Sequence, residues 1–297
     1  MPVASLVASH ATVAAVSRDA VLQTGVTAFR AGNYTEARTL LMPLARHGNA
    51  RAQYYVGNLL ALDGGVPGNA GRAIDWFRRA ALQGFAPAQV NLGSAYAAGN
   101  GVKRDPRLAV KWFRAAAAQG NALAQYNLGV AYQRGDGVPL EPRQAMRWFY
   151  RAAVQDNSFA LNNLGVAYAT GRGEPLNRVM AYALFSRAAA LNPGDVPALG
   201  NRARLVSMLT LPELRAARRL ARDFVAASDF KTAYDRVRLA MHPLVRKPMP
   251  APAPGAPGHK RRLKGAPSEG VYQARRRSNR EQGTDAASQA SARLTRA

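Results

Sequence analysis

A block of 36 residues recurs along the chain, and each copy repeats the same side chains in the same order. The first half carries a Leu-Gly-x-x-Tyr motif at 92–96, 128–132 and 164–168, and Gly57 marks an earlier copy. The second half carries Ala-x-x-Trp-Phe-x-x-Ala-Ala at 73–81, 109–117 and 145–153, with a weaker copy at 181–189. A fixed period of about 20 to 50 residues is the sequence signature of a solenoid, in which each unit packs only against its neighbours.

Each block is predicted to form two helices, which we call helix A and helix B. Ala124, Leu128 and Tyr132 lie four residues apart and place an apolar stripe on helix A. Gly129 lies inside that helix, where a glycine costs about 1 kcal/mol relative to alanine. Its recurrence predicts that helix B approaches more closely than a methyl group allows. Pairs of glycines between the helices predict left-handed turns, at 99 and 101, 135 and 137, and 171 and 173.

The period divides the chain into four segments. Residues 1–18 form an N-terminal segment, 19–194 the repeat solenoid, 195–242 capping helices and 243–297 a tail. The solenoid begins with a short copy at 19–49, in which Gly32 and Asn33 can take the positive φ that ends a helix. Four full copies begin near Ala50, Ala86, Ala122 and Asn157.

A cap is needed because the last repeat would otherwise expose its stacking face. Its apolar residues, among them Leu205, Met208 and Phe224, are expected to cover that face. Its arginines, among them Arg202 and Arg204, are expected to face water.

The pattern at 88–120 resembles the Sel-one-like repeat, a relative of the tetratricopeptide repeat. The resemblance implies an all-α fold, a right-handed α/α superhelical solenoid of about five helix-turn-helix repeats with a C-terminal helical cap. It also implies a protein–protein interaction scaffold or adaptor. Some bacterial members with a cysteine pair in each repeat have been described as penicillin-binding, but this chain has no cysteine.

Helix A is predicted to carry the partner-binding surface, because in tetratricopeptide units it lines the concave groove. Asn91, Asn127 and Asn163 precede the Leu-Gly step, where tetratricopeptide domains that clamp peptide ends also hold an asparagine. Such an amide ladder can hold an extended backbone; alternatively, these amides only bond neighbouring helix ends. The predicted concave face comprises Tyr54, Asn58, Val90, Asn91, Ser94, Tyr126, Asn127, Val130, Asn162 and Asn163.

We predict no catalytic, cofactor or metal site, and no enzyme. Ser228-x-x-Lys231 matches a motif of penicillin-recognising hydrolases, which are the alternative function, but the Ser-Asp-Asn and Lys-Thr-Gly partners are absent. The four histidines are scattered, and no Gly-rich nucleotide-binding loop occurs. Arg-Gly-Asp at 134–136 is attributed to the turn that the repeat already requires.

The chain is strongly basic, with 41 Lys and Arg against 17 Asp and Glu. Two clusters lie in the Pro- and Ala-rich tail, which is predicted to be disordered because it has few bulky apolar residues. The tail could act as a non-specific electrostatic tether for polyanions, a solubilising segment or a specific nucleic-acid binder, although its lone aromatic, Tyr272, provides no stacking platform. The clusters comprise Lys260, Arg261, Arg262, Lys264, Arg275, Arg276, Arg277 and Arg280.

The N-terminal segment allows two interpretations. Residues 1–18 are rich in small side chains with no basic residue before Arg18, as in a frayed terminus or the remnant of an export signal whose start lies upstream. Resemblance to exported family members favours a periplasmic or secreted protein, with a cytoplasmic location as the alternative. No transmembrane segment is predicted, because no apolar run approaches about 20 residues.

Overall fold

The computed structural model describes residues 17–62 and 69–241, and within those ranges the regular structure is entirely helical. The thirteen helices are α1 (Arg18–Ala31), α2 (Tyr34–Arg46), α3 (Ala50–Leu62), α4 (Asn69–Leu82), α5 (Ala86–Ala98), α6 (Pro106–Ala118), α7 (Ala122–Arg134), α8 (Pro142–Ala153), α9 (Ser158–Thr170), α10 (Arg178–Leu191), α11 (Val196–Val206), α12 (Leu211–Ala226) and α13 (Phe230–Met241).

Asparagine caps explain where three of the A helices begin. A side-chain oxygen accepts a bond from the amide three residues on and satisfies a donor that the helix leaves unpaired. These 2.9 Å bonds run from the amides of Ala52, Ala124 and Ala160 to the side chains of Asn49, Asn121 and Asn157.

The glycines between helices A and B adopt the predicted left-handed conformation. Gly135 ends α7 with φ 76°, and Gly137 follows with φ 75°. The pairs at 99 and 101 and at 171 and 173 behave in the same way. In the short first copy, Gly32 has φ 84° and Gly48 has φ 91°. Asn33, the other candidate for positive φ, has φ −79° because it begins α2.

The chain divides into two compact units at residue 88, inside α5. In the first unit α1 packs on α2, α2 on α3 and α3 on α4. Its core includes Val26, Leu41, Val56 and Phe77.

In the second unit, each helix from α6 to α10 packs against the next along the chain, and α10 packs on both α11 and α12. The core of this unit is continuous and includes Phe149, Leu161, Leu164, Phe185 and Phe224. Helical hairpins packed in sequence make the protein an all-α repeat solenoid, as the repeat predicts.

The recurrent glycine of helix A meets a phenylalanine of helix B, which confirms the predicted close approach. A Cβ atom at Gly57 would lie 2.6 Å from the ring of Phe77, and one at Gly93 would lie 2.6 Å from Phe113. Ordinary contacts of a Cβ atom are at least half an ångström longer. The edge of the phenylalanine ring therefore occupies the space that the missing side chain leaves.

The cap begins as one more helix of A type. Asp195 accepts a 3.1 Å bond from the amide of Ala198, just as Asn157 begins α9. Leu205 and Phe224 are buried as predicted, but Met208 is exposed because it lies in the turn between α11 and α12. Arg202 and Arg204 are half-buried on α11, whereas they were predicted to face water.

A buried arginine in α10 anchors the end of the cap. The Arg187 guanidinium donates to the carbonyls of Phe224 and Ala227 and, at 2.6 Å, to the carboxylate of Asp156. It also lies over the Phe230 ring. One side chain thus links the repeats to the end of α12 and the start of α13.

Helix α13 is held against the repeats by polar contacts of its central turns. Tyr150 of α8 donates to the carboxylate of Asp235 at 2.7 Å. The hydroxyls of Tyr168 and Tyr234 share a bond of 2.8 Å, and the Tyr234 side chain is buried. These contacts fix α13 on the last two repeats.

Candidate partner-binding surface

One row of the predicted concave face is buried in the second unit. Val90, Tyr126 and Asn162 lie at equivalent positions of α5, α7 and α9, and are 2%, 1% and 0% exposed. The prediction that they face a partner is wrong, because they pack between helices. Tyr126 lies between the rings of Phe149 and Phe159, with centroids 6.0 and 5.9 Å away.

In the first unit, Tyr54 occupies the equivalent position and is half-buried. Its ring packs against Tyr55 and Phe85, with centroids 5.2 and 5.4 Å away. Burial raises the pKa of Tyr54, so the hydroxyl stays neutral. The Asn58 amide donates to the backbone carbonyl of Tyr54 at 3.0 Å.

One helical turn later, a second row remains partly exposed. Ser94, Val130 and Val166 occupy this row in the second unit, and Asn58 occupies the same position in the first. A partner could therefore contact these side chains, whereas it could not reach those of the buried row.

The exposure of the asparagines in the predicted amide ladder decreases along the chain. Asn91 is half-buried, whereas Asn127 and Asn163 are buried. In the fourth repeat, α11 packs on α9 and covers part of its surface. The Asn201 amide of α11 donates to the Asn162 side chain of α9 at 3.0 Å. That contact joins Asn162, which was predicted to face the groove, to a neighbouring helix instead.

The accessible part of the predicted surface in the second unit thus lies on α5 and α7. We call it the A-helix face; it comprises Asn91, Ser94 and Val130, to which we add the half-buried Leu123 of α7. It combines amide and hydroxyl groups with half-buried aliphatic side chains, so it can both hydrogen-bond to a backbone and contact apolar side chains.

Sequence reasoning missed a set of glutamine pairs that recurs with the repeat. Gln119 donates to Gln89, and Gln155 to Gln125, each at 2.9 Å. Within the first unit, Gln83 bonds Gln53 at 2.8 Å. The signal was present, because both members of each pair recur at the period of the block. These pairs tie the end of helix B to helix A and are structural.

The other sequence candidates lie at the start of α13 and in a turn between helices. Ser228 lies exposed before α13, and Lys231 donates to Asp235 at 3.1 Å. Asp136 lies in the predicted turn and pairs with Arg104 at 3.6 Å. Across 17–62 and 69–241, no group of three or more His, Cys, Asp or Glu could hold a metal ion. The basic tail residues and the segment 1–16 lie outside the described residues.

The sequential hairpins define a helical-repeat solenoid. The Sel1 repeat matches four consecutive blocks of the chain, at 50–85, 86–121, 122–157 and 158–193. Residues 50–193 therefore consist of four Sel1 repeats, as the motifs predict. Within the part that the structure describes, no helix is long and apolar enough to cross a membrane.

Solved structures similar to this chain include two proteins with this repeat. A Sel1 repeat protein from Oxalobacter formigenes is 26% identical, with a TM-score of 0.55, over 74% of this chain and 96% of that one. A protective antigen of uropathogenic Escherichia coli with an SLR fold is 26% identical, with a TM-score of 0.49, over 82% of this chain. This chain spans 58% of that antigen's length. No curated protein matches the chain.

Proposed function

We propose that this protein is a non-catalytic scaffold or adaptor that binds an extended segment of another protein on the A-helix face. The observation that carries the proposal is that α5 and α7 keep partly exposed side chains at equivalent positions, Ser94 and Val130, with the amide of Asn91 and the aliphatic Leu123 on the same two helices. An extended peptide presents main-chain donors and acceptors with side chains between them, and this surface offers partners for both.

The test uses the full chain as bait for cellular proteins. Ser94→Glu with Val130→Glu adds two negative charges to the A-helix face, and Arg107→Gln with Arg143→Gln makes the same net change on the exposed B-helix side. We expect proteins captured by the unmodified chain and by the B-helix control to be lost from the A-helix variant. Equal capture by both variants would exclude this face. Tyr126 is unsuitable for such a test, because replacing a buried ring would destabilise the fold.

The proposal that the chain works without catalysis has its own test. Ser228 is the residue that a penicillin-recognising hydrolase would need, and it is exposed on the turn before α13. Nitrocefin should not be turned over by the full chain. Turnover that Ser228→Ala abolishes would replace the scaffold with a hydrolase.

We also propose that the protein is exported to the periplasm. This rests on the resemblance of the short first copy and the cap to those of exported family members. Cell fractionation with an antibody to the repeats tests it. The intact chain, with Met1 retained, in the cytosolic fraction would overturn it.

A further inference from the structure

The solvent-facing side of α12 carries a row of five side chains with a spacing of 4-3-4-3. All five are exposed, with Leu211 at 72% and Val225 at 47%, and the opposite side of the helix packs on α10. Apolar residues stand at both ends of the row, and arginines fill its middle. The row comprises Leu211, Arg215, Arg218, Arg222 and Val225.

Within the part of the chain that the structure describes, the three arginines of the row have no counter-charge. Among the described residues, no carboxylate lies within ion-pair distance of Arg215, Arg218 or Arg222. The Glu213 carboxylate accepts instead from the amide and hydroxyl of Thr210, at 2.8 and 2.9 Å. Like charges three or four residues apart on a helix destabilise it by a few tenths of a kcal/mol per pair. The row therefore presents unneutralised charge that an external acidic group would relieve.

The spacing indicates the kind of partner. A 4-3-4-3 row stays on one side of a helix and is the spacing at which a second helix packs along it. From Leu211 to Val225 the row extends over about 21 Å at 1.5 Å per residue. This length matches about four turns of a partner helix.

Two other anionic partners fit the row less well. A bilayer surface favours a continuous apolar face with cations along its border, whereas here the cations occupy the centre. Nucleic-acid phosphates would pair with the arginines but would gain nothing from Leu211 and Val225. We propose that this row binds an acidic helix of a partner protein, with carboxylates opposite the arginines and apolar side chains opposite the two ends. This surface is separate from the A-helix face.

The probe is a synthetic helical peptide with Leu, Glu, Glu, Glu and Leu at the same 4-3-4-3 spacing, titrated against the full chain by fluorescence anisotropy. The row variant carries Arg215→Glu, Arg218→Glu and Arg222→Glu. The matched control carries Arg275→Glu, Arg276→Glu and Arg277→Glu, the same change of charge in the tail. Three exposed ion pairs of a few tenths to 1 kcal/mol each predict a Kd about tenfold weaker for the row variant. The tail control should stay within about threefold of the unmodified chain, and a peptide with lysines in place of its glutamates should prefer the row variant.

A second variant tests the apolar ends without changing charge. Leu211→Ser with Val225→Ser should weaken the acidic peptide severalfold, and circular dichroism should report unchanged helix content for all variants. Equal binding of a scrambled peptide, or equal loss in the row and tail variants, would overturn the proposal. The proposal would also be overturned if the row variant lost binding to a DNA duplex or to phosphatidylglycerol vesicles but bound the acidic peptide as well as the unmodified chain does.

Discussion

Gly165 of α9 and Phe185 of α10 are in such close contact that a Cβ atom at Gly165 would lie 2.5 Å from Cε1 of the ring. The Phe185 ring is completely buried, so it has no room to withdraw. The absence of a side chain at Gly165 therefore sets the distance between the two helices of the fourth repeat.

Gly165→Ala should destabilise the protein by about 1–3 kcal/mol, because overpacking outweighs the gain of about 1 kcal/mol from helix propensity. Gly200→Ala is the matched control, since a Cβ atom there meets nothing within 4 Å. It should stabilise by about 0.5–1 kcal/mol. Urea unfolding followed by circular dichroism measures the stability of both variants. If Gly200→Ala destabilised the protein as much as Gly165→Ala does, contact with Phe185 would not be the cause of the loss.

We expect substitutions of Gln125 and Gln155 to have strongly non-additive effects on the free energy of unfolding. Gln155→Leu alone leaves the buried Gln125 carbonyl without its donor and should cost about 1–3 kcal/mol. The double substitution to leucine should recover most of this loss, because the fourth repeat already carries Leu161 and Leu191 at these positions. Additive losses in a double-mutant cycle would mean that the pair does not act as a unit.

Arg187 is expected to control the stability of the cap. Arg187→Met removes donors to two backbone carbonyls and to Asp156, and should cost about 2–4 kcal/mol. Arg151→Met is the control, since Arg151 occupies the equivalent position one repeat earlier and lies exposed over Trp148. Hydrogen exchange should show lost protection in α12 and α13 for the first variant alone. Comparable loss in both would contradict an anchoring role.

The capping box of α12 predicts a pH dependence. Hydrogen bonds from the Thr210 amide and hydroxyl lower the pKa of Glu213 from its usual 4.5. The carboxylate therefore contributes stability that is complete above about pH 4.5 and disappears as the pH falls through the lowered folded-state pKa. Glu213→Gln should cost about 0.5–1 kcal/mol at pH 7 and little at pH 3. Asp223→Asn controls for the loss of one charge from the same helix, and an equal cost at both pH values for Glu213→Gln would refute the assignment.

The basic tail is expected to dominate binding to polyanions. Full-length protein should be retained on heparin more strongly than a truncation after His242, and added salt should reduce the difference because counterions are released on binding. Equal retention of the two chains, or retention insensitive to salt, would leave no electrostatic role for the tail.

The repeat period determined the fold because each block carries the same kinds of residue at its helix ends and on its packing faces. Asparagine or aspartate starts helices, glycine with positive φ ends them, and apolar residues at helical spacing provide the faces that pack. The recurrence of Gly129 and its equivalents also predicted the close approach of helix B to helix A. These features are local or repeat at a constant interval, so the linear sequence records them.

Only the tertiary structure decided which side chains remain accessible. Tyr126 and Asn162 occupy positions that a single helical hairpin would leave open, but the neighbouring helices bury them, and α11 closes the fourth repeat. Arg187 likewise has the same residue type as the exposed Arg151 but becomes buried when the cap folds over it. Burial depends on what packs against a helix from other parts of the chain, and the repeat pattern alone does not record those contacts.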